Sequence, residues 1–405
     1  MNKGRRRFLQ ASLAGGAALM TGCVKGGTER EPTALTKASN RLLKILVLGG
    51  TGFIGPHMVR EALRRGHEVT LFNRGRTNRN LFPDLELLVG DRDGGLNALE
   101  GREWDAVIDN SGYVPRHVAD SAKLLSSAVS HYVYVSSVSA YAAMSGNLTA
   151  ASYHDVDMPN TEYDSPLATM PDESVEEVTS ETYGPMKVLC ERAATDAMGE
   201  DRITILRPTW IAGPGDDSDR FTYWPVRVSR GGEMLAPGTA DDLIQIVDVR
   251  DLATFVVDSL ERRIMGIYNM VTPPGAYTMG GLLGDSQAVS GTEVNVTWVD
   301  LPFIEANGLD YNNGLPIGAP ARGETRSDAI VNGDRSFRMG MSTRPLKETI
   351  RDTLSWWRTL PEDRRANMRS GLTAEREAEL LAAWHAQNQP RELRSRTDSR
   401  QARRR

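Results

Sequence analysis

Two residues that can share a proton lie four positions apart in the stretch ETYGPMKVLCERAA. The stretch predicts a helix, and the spacing places Tyr183 and Lys187 on one helix face. Pro185, between them, is tolerated there only in the first helical turn. An ammonium beside a phenol favours the phenolate and lowers the pKa of the tyrosine. Such a tyrosine can act as a general acid or base near neutral pH.

A serine hydroxyl is the third group that could contact the same substrate atom. The alternating stretch YVYVSSVSAY predicts a strand that runs into Ser136 and Ser137. A hydroxyl at the end of that strand can hydrogen-bond the carbonyl or hydroxyl that the phenol serves. A tyrosine and a lysine at this spacing are alone typical of an ordinary amphipathic helix. The catalytic interpretation rests on a glycine-rich turn, the serine strand and the tyrosine helix following one another in this order.

The glycine-rich turn follows the short apolar run Lys44–Leu48 and precedes the helical stretch PHMVREALRRG. Gly49 allows a tight turn, Gly52 lets the backbone approach a pyrophosphate, and Gly55 lets the helix pack on the strand. The phosphates would lie at the helix N-terminus, against unpaired N–H groups and the positive end of the helix dipole. This context predicts a dinucleotide site. The other contacts predicted in the turn are Thr51, Phe53 and Ile54.

The end of the next strand, HEVTLF, bears on which dinucleotide binds. A carboxylate normally stands there and holds the ribose 2′-hydroxyl. Here the residue is Asn73, and Arg74 and Arg76 follow it. A missing carboxylate next to guanidinium groups favours a 2′-phosphate, so we expect NADP rather than NAD. The alternative is that these arginines are solvated loop residues and that NAD binds.

Further strand-like runs follow in the order LELLVG, DAVIDN, HYVYVSS and ITILRP, most of them separated by helical stretches. Alternating β and α units predict an α/β fold with a Rossmann-type, doubly wound parallel sheet. Asp91 and Arg92 end the third of the predicted strands, where the adenine would lie. Ser111 follows the fourth strand, near the ribose and nicotinamide.

Five motifs, GGTGFIG, YVSSVSAY, YGPMK, RPTWIAGPGD and VDVRDLA, together resemble the extended (atypical) short-chain dehydrogenase/reductase family in its NAD(P)-dependent epimerase/dehydratase branch. The resemblance covers residues 43 to 360. It implies that Ser137 is the catalytic serine and Tyr183 the acid/base. It also implies that Lys187 holds the nicotinamide ribose and lowers the Tyr183 pKa, and that a smaller C-terminal α/β domain binds the substrate.

Two departures from the family pattern narrow the reaction. Sugar-nucleotide 4,6-dehydratases of the family carry Thr-Asp-Glu where this chain has Ser-Val-Ser from Ser137. Because elimination of water needs that acid/base pair, we expect no dehydratase activity. UDP-sugar epimerases carry a diphosphate-binding arginine where this chain has Ile244, which puts a UDP-sugar substrate in doubt. Three nearby arginines either replace that contact or are surface charges: Arg220, Arg227 and Arg230.

Composition and charge exclude other classes of protein. The 405 residues are 40% hydrophobic and 25% charged, with a net charge of -5, which is typical of a globular protein without a nucleic-acid partner. The six histidines are scattered, so we predict no metal site. The two cysteines, Cys23 and Cys190, are too few for a disulfide framework, and we expect Cys190 to pack in the core.

The N-terminal stretch RRRFLQASLAGGAALMTGC has the features of an export signal. A basic region precedes a short apolar run, which falls short of the roughly 20 apolar residues of a membrane span. Paired arginines before Phe-Leu resemble the twin-arginine signal, whose translocon exports folded proteins. Cys23 is either acylated as a lipid anchor or unmodified. We therefore expect an exported protein, periplasmic or membrane-anchored on the outer side of the inner membrane.

The predicted organisation has five parts. In chain order they are a twin-arginine signal peptide (1–23), a linker (24–42), a dinucleotide-binding Rossmann domain (43–210), a substrate-binding domain with C-terminal helices (211–388) and a basic disordered tail (389–405). One C-terminal helix is amphipathic, with a buried face predicted for Leu346, Ile350, Leu354 and Trp357.

Compartment and motifs together favour a reaction that restores its own cofactor. An exported enzyme has little free dinucleotide to exchange, whereas an epimerase takes a hydride from its small-molecule substrate and returns it to the same carbon. We therefore predict an exported NAD(P)-dependent, epimerase-like oxidoreductase with tightly bound cofactor, acting on a sugar or another hydroxyl or carbonyl compound. The alternatives are an NADP-dependent reductase or dehydrogenase of a small carbonyl compound, and a non-catalytic dinucleotide-binding protein. The sequence leaves open whether the chain forms a homodimer.

Overall fold

A computed structural model describes residues 41–144, 165–309, 314–318 and 331–388. The predicted signal peptide, Cys23, nearly all of the linker and the basic tail lie outside these residues. Thirteen strands are present in the described ranges. They are β1 (Lys44–Leu48), β2 (Glu68–Asn73), β3 (Glu86–Val89), β4 (Ala106–Asp109), β5 (His131–Val135), β6 (Ile203–Pro208), β7 (Trp210–Ala212), β8 (Gly232–Pro237), β9 (Leu243–Ile244), β10 (Ile246–Asp248), β11 (Gly266–Met270), β12 (Tyr277–Thr278) and β13 (Val294–Val299).

The α-helices of the same ranges connect and cover these strands. They are α1 (Gly55–Arg64), α2 (Pro115–Leu125), α3 (Ser180–Met198), α4 (Tyr223–Ser229), α5 (Val249–Arg262), α6 (Met279–Ser290), α7 (Leu301–Ala306), α8 (Asp334–Arg338), α9 (Leu346–Thr359), α10 (Glu362–Ala366) and α11 (Ala374–Asn388).

The main sheet has seven strands in the order β11-β6-β5-β4-β1-β2-β3, and all of its pairs are parallel. The chain starts at β1 in the interior, moves outward to β3, and then returns to the other side of β1 with β4. This reversal creates a crevice at the carboxyl ends of β1 and β4, which is where open α/β sheets bind their ligands. The predicted α/β fold with a doubly wound parallel sheet is confirmed.

Apolar residues bury both faces of the sheet, as a parallel sheet requires. Along β1, Ile45 and Val47 join a core with α1 and α5 on one face. Leu46 and Leu48 join a core with α2 and α3 on the other face, and Cys190 packs there as expected. The alternation follows from the two-residue period of a strand.

The smaller region forms around a third core, built largely from α4, α6, α9 and α11 with the short pairs β7–β10, β8–β13 and β9–β12. The expected face of α9 is buried. The domain boundary at residue 210 stays a prediction. The main sheet also includes elements from beyond that residue, since β11 forms its edge strand and α5 covers one of its faces. No helix in the described ranges is long and apolar enough to cross a membrane.

Candidate active site

The glycine-rich turn joins β1 to α1 with a backbone that only glycine adopts easily. Gly49 and Gly50 have φ values of 114° and 88°. A Cβ on Gly49 would lie 2.3 Å from Asn110 Oδ1, and one on Gly50 would lie 2.8 Å from Leu71 Cδ2. Gly50 therefore needs to be glycine as much as Gly49 does. The GxxGxxG spacing did not single it out.

The other two glycines of the turn have different surroundings. A Cβ on Gly55 would lie 2.5 Å from the Gly50 Cα, so the start of α1 packs on the turn itself rather than on the strand. A Cβ on Gly52 would meet nothing within 4 Å. The open side of Gly52 matches the expected approach of a pyrophosphate to the backbone.

The N-terminus of α1 has the features of an anion site. Its N-cap residue, Ile54, makes no side-chain capping hydrogen bond, and no acidic residue lies in the first turn. Pro56 has no N–H and the His57 N–H donates to the Ile54 carbonyl, so this ten-residue helix offers an anion chiefly the positive end of its dipole. Together with the open side of Gly52, this arrangement fits the diphosphate of a dinucleotide.

The end of β2 is tied to the turn by Asn73. Its Nδ2 donates to the Gly49 carbonyl at 3.0 Å, and its Oδ1 accepts from the Gly75 N–H at 2.8 Å. The side chain thus has a positioning role in this structure, with both polar ends occupied. Arg74 and Arg76 are exposed beside it, and neither has an ion-pair partner among the described residues.

Arg92 is buried and forms two hydrogen bonds to the Asp109 carboxylate, at 2.6 and 2.8 Å. Its guanidinium also donates to Ser121 Oγ at 2.6 Å, and Asp109 accepts a further bond from the Tyr132 hydroxyl. Arg92 is therefore part of a buried polar network around the end of β4. Asp91 begins the next turn, where its carboxylate accepts the Asp93 N–H.

Ser111 links the ends of β1 and β4, the two strands that border the crevice. Its hydroxyl donates to the Leu48 carbonyl at 2.9 Å, and its N–H donates to Asp109. The ends of the two strands on either side of the switch point are therefore joined by one residue. Ser111 stands where the sequence predicted a cofactor contact.

The serine strand ends in two hydroxyls with different roles. Ser136 is buried and donates to Glu191, whose carboxylate also pairs with Arg207. Ser137 begins a short 3-10 turn, in which its hydroxyl accepts the Ser139 N–H at 3.1 Å. The same hydroxyl acts to lower the pKa of the Tyr183 phenol. Ser137 is thus the serine that faces the predicted acid/base.

Tyr183 lies in the first turn of α3, which begins earlier than Pro185 suggested. A capping box between Thr179 and Thr182 starts the helix at Ser180, so Pro185 falls in its second turn. Burial raises the Tyr183 pKa, and the Ser137 hydrogen bond and the Arg220 charge act in the opposite direction. The expected lowering of this pKa by Lys187 is not seen, because burial of the phenol outweighs the charges that act on it.

Lys187 is buried and donates to three protein acceptors, the carbonyls of Gly112 and Val135 and the Tyr134 hydroxyl, at 2.8, 3.1 and 3.3 Å. A lysine has three N–H donors, so all are used. Burial lowers the Lys187 pKa. The Nζ atom lies 5.8 Å from the centre of the Tyr183 ring.

Tyr113 is a residue of the site that the sequence did not single out. Its ring centre is 4.7 Å from Lys187 Nζ and 6.5 Å from the centre of the Tyr183 ring. It remains 46% exposed, so part of the ring faces the solvent beside the acid/base. Its position four residues after the end of β4 was the available signal.

Only one of the three arginines weighed for a substrate anion acts on Tyr183. Arg220 lies 5.2 Å from the centre of the Trp210 ring, and its charge lowers the Tyr183 pKa. Arg227 is buried in an ion pair with Glu377 at 2.6 Å. The guanidinium of Arg230 contacts the Met368 sulfur. The residue at the family's arginine position, Ile244, is buried in the core of the smaller region.

Comparison with known proteins identifies the class. The description "NAD dependent epimerase/dehydratase family" matches residues 45–270, more than half of the chain. The chain therefore belongs to the NAD dependent epimerase/dehydratase family. The match covers the glycine turn, the serine strand and the tyrosine helix. Among the described residues, no group of three or more histidine, cysteine or acidic side chains could hold a metal ion.

Individual relatives are distant. The chain is 25% identical over 255 residues to the chloroplast stem-loop binding protein of 41 kDa b from Arabidopsis thaliana, covering 58% of this chain and 61% of that protein. It is 26% identical over 256 residues to the epimerase family protein SDR39U1 from Bos taurus, covering 58% and 76%. The chain thus spans less than two thirds of the plant relative.

Solved structures share the fold. The Bordetella bronchiseptica enzyme WbmG, in complex with NAD and UDP, matches with a TM-score of 0.56 at 17% identity, over 82% of this chain and 98% of that one. The Thermus thermophilus UDP-glucose 4-epimerase, in complex with NAD, matches with a TM-score of 0.55 at 18% identity, over 78% and 100%. At these identities the likeness concerns the fold alone.

Proposed function

We propose that this chain is a dinucleotide-dependent, epimerase-like oxidoreductase in which Ser137, Tyr183 and Lys187 form one catalytic group. The observation that carries the proposal is their convergence. The Lys187 ammonium lies 5.8 Å from the centre of the Tyr183 ring, and the Ser137 hydroxyl acts to lower the pKa of the Tyr183 phenol. All three lie near the carboxyl edge of the sheet, on the side of β4 and β5, where a ligand in the crevice would meet them.

Each residue has a distinct task. Tyr183 exchanges a proton with the substrate oxygen, and Ser137 hydrogen-bonds that oxygen. Burial favours the protonated phenol, which can donate a proton to a substrate carbonyl. Ser137 and Arg220 favour the phenolate, which can accept a proton from a substrate hydroxyl. Lys187 would hold the nicotinamide ribose by giving up one of its carbonyl contacts. The bound nicotinamide supplies the hydride acceptor and donor.

The proposed cofactor is NADP, with NAD as the alternative. The open side of Gly52 and the uncapped start of α1 would hold the diphosphate. The exposed guanidinium groups of Arg74 and Arg76 support a 2′-phosphate, because the described residues provide neither with a carboxylate partner. Asn73 would contribute by holding the turn in place.

Export and internal redox chemistry belong together in this proposal. The twin-arginine translocon would carry the folded chain with its dinucleotide already bound, and Cys23 would be the site of a lipid anchor. The test is to purify the exported form from the cell envelope, denature it and identify the released nucleotide by mass spectrometry. About one equivalent of NADP supports tight binding before export, as expected for a single bound cofactor. No nucleotide contradicts it and favours a reductase with exchangeable cofactor.

The proposed substrate is a small hydroxyl or carbonyl compound with an anionic group that faces Arg220. Support comes from the position of Arg220 against Trp210, with its charge acting on Tyr183. The test is a panel of nucleotide sugars, sugar phosphates and neutral sugars added to the NADP-loaded protein. Transient reduction of nicotinamide with anionic compounds is expected, and turnover of neutral sugars alone would contradict the proposal.

One observation favours a second candidate, a dinucleotide-binding protein without turnover. The three protein acceptors around Lys187 leave it no free donor in this structure. A protein of this kind would bind dinucleotide and show no reduction of nicotinamide with any compound of the panel. Replacement of Tyr183 by phenylalanine would then leave its function unchanged.

A further inference from the structure

The loop that carries Arg220, residues 213–222 between β7 and α4, is built around two buried carboxylates. Asp216 accepts hydrogen bonds from the Ser218 N–H and hydroxyl and from the Phe221 N–H. Asp219, directly before Arg220, is fully buried and has a φ of 62°, in the left-handed region. A side chain in this conformation needs partners that hold it.

Those partners lie in residues 361–371, which we call the C-terminal brace. The Arg364 guanidinium forms two hydrogen bonds to the Asp219 carboxylate, at 2.8 and 2.5 Å. The Arg369 N–H donates to the same carboxylate at 2.7 Å. The Arg364 guanidinium in turn lies 5.2 Å from the centre of the Trp357 ring on α9. Charge-assisted bonds of this kind are among the stronger ones in proteins.

Further contacts seat the brace along the loop. The Ser370 hydroxyl donates to the Ser218 carbonyl, and Arg369 Nη1 donates to the Asp217 carbonyl, each at 2.8 Å. A Cβ on Gly371 would lie 1.9 Å from the Tyr223 ring, so the backbone of the brace contacts the start of α4 directly. The brace therefore touches the loop before Arg220 and the first residue of α4 after it.

The opposite end of the loop rests on the cofactor helix. His57 Nε2, on α1, hydrogen-bonds the Pro214 carbonyl at 2.8 Å. A Cβ on Gly215 would lie 3.5 Å from the Phe53 ring, in ordinary contact. Arg220 is thus carried between two attachments, one on the predicted dinucleotide site and one on the C-terminal brace.

We propose that the C-terminal brace holds the loop 213–222, and with it Arg220, through the Arg364–Asp219 pair, and so sets the affinity of the site for an anionic substrate group. Arg364 is a positioning residue, since it contacts the loop and not the site. The inference rests on the proposed function for the identity of the ligand. Under this proposal, residues more than 140 positions away from Arg220 in the sequence take part in substrate recognition.

The test compares Arg364→Gln with Glu377→Gln in the NADP-loaded protein. Each variant breaks one ion pair that joins the C-terminal part of the smaller region to an earlier part of it. The Arg364 pair reaches the loop at Asp219, whereas the Glu377 pair reaches Arg227 on α4, outside the loop. UDP is the probe, and its dissociation constant is measured by calorimetry. We expect binding on the order of tenfold weaker in Arg364→Gln and in Arg220→Gln, and within about twofold of wild type in Glu377→Gln.

Two milder variants separate positioning from a loss of folding. Arg364→Lys keeps the charge and should recover part of the affinity, while Ser370→Ala removes one brace contact and should weaken UDP binding slightly. The dissociation constant of NADP should stay within about twofold in all four brace and control variants. Hydrogen exchange of the peptide covering 213–222 should rise in Arg364→Gln and stay unchanged in Glu377→Gln.

The possible results are distinct. Equal UDP affinity in Arg364→Gln and Glu377→Gln overturns the proposal, and so does a weakened Arg364→Gln with an unaffected Arg220→Gln. If the wild type does not bind UDP, the anionic substrate of the proposed function has failed for this probe. Hydrogen exchange of residues 213–222 is then the only test of the positioning role of Arg364. Equal exchange in Arg364→Gln and Glu377→Gln would reject that role.

Discussion

The glycine turn and the loop 213–222 contribute to the same candidate site, but different forces hold them. The turn is held by its backbone, with positive φ values at Gly49 and Gly50 and direct contact between Gly50 and Gly55. The loop is held by side-chain charges, above all by Asp219 and Arg364. The turn is therefore damaged by changes within it, whereas the loop can be damaged from the other end of the chain.

The largest expected effect belongs to Tyr183, the proposed acid/base. Replacement of Tyr183 by phenylalanine removes the proton-exchanging hydroxyl but disturbs neither the turn nor the loop. Reduction of nicotinamide by the substrate found in the panel should slow by about 10²–10⁴-fold. The dissociation constant of NADP should not change.

Tyr113→Phe is the matched control for this variant, because Tyr113 also packs on Lys187 and is partly exposed. It should retain most of the activity. If Tyr113→Phe loses the activity and Tyr183→Phe keeps it, the acid/base has been assigned to the wrong tyrosine.

The backbone-held region should respond very differently to a methyl group at two of its glycines. Gly55→Ala places a Cβ against the Gly50 backbone, which cannot move aside cheaply. The free energy of unfolding should fall by about 1–3 kcal/mol, measured by urea denaturation, and dinucleotide binding should fall with it. Gly52→Ala should leave stability unchanged and weaken dinucleotide binding on the order of tenfold, about 1.4 kcal/mol. Equal stability losses in the two variants would contradict the packing described for Gly55.

This contrast explains how much could be predicted from sequence. The β1–turn–α1 unit was predicted because glycine spacing, a buried strand and a helical stretch are local signals. Ser137, Tyr183 and Lys187 were found through the order of their motifs, and the structure brings them together. Gly50 lay inside a recognised motif and Tyr113 a few residues beyond a predicted strand, but their roles depend on Leu71 and Lys187, which only the fold places beside them.

Long-range ion pairs were the part that sequence could not supply. Arg92 was expected at the adenine, but Asp109 at the end of β4 binds it in the interior. Asp219 and Arg364 gave no signal because they lie 145 positions apart. The direction of the Tyr183 pKa shift was also wrong, since burial of the phenol outweighs the nearby charges.

Acid should act in opposite directions on a buried histidine of the main sheet and on a buried carboxylate of the loop. His131 on β5 is buried against Thr204, and burial lowers its pKa to about 3, below its ordinary 6.5. As the pH falls below 6.5, the unfolded chain binds a proton that the folded chain does not, so stability should fall by about 1.4 kcal/mol per pH unit until the pH approaches 3. In the loop, burial raises the Asp216 pKa, so protonation of Asp216 acts in the opposite direction.

Urea denaturation of wild type and His131→Gln at several pH values between 4 and 7 measures the slope. The variant should lose this dependence, whereas His385→Gln, at an exposed histidine, should keep it. An unchanged slope in His131→Gln would assign the acid sensitivity to other groups.

The smallest effect is expected where neither backbone nor ion pairs hold the side chains. Arg74 and Arg76 are exposed after β2, so each should contribute only as a surface charge contact to a 2′-phosphate. Arg74→Gln and Arg76→Gln should each raise the NADP dissociation constant by about threefold to fivefold, with a loss that shrinks at high salt. NAD binding should not change, and Arg376→Gln, an exposed arginine on α11, is the control for net charge. Because Asn73 ties this strand end to the turn, equal effects on NAD and NADP would show that the arginines act through the turn and not on the phosphate.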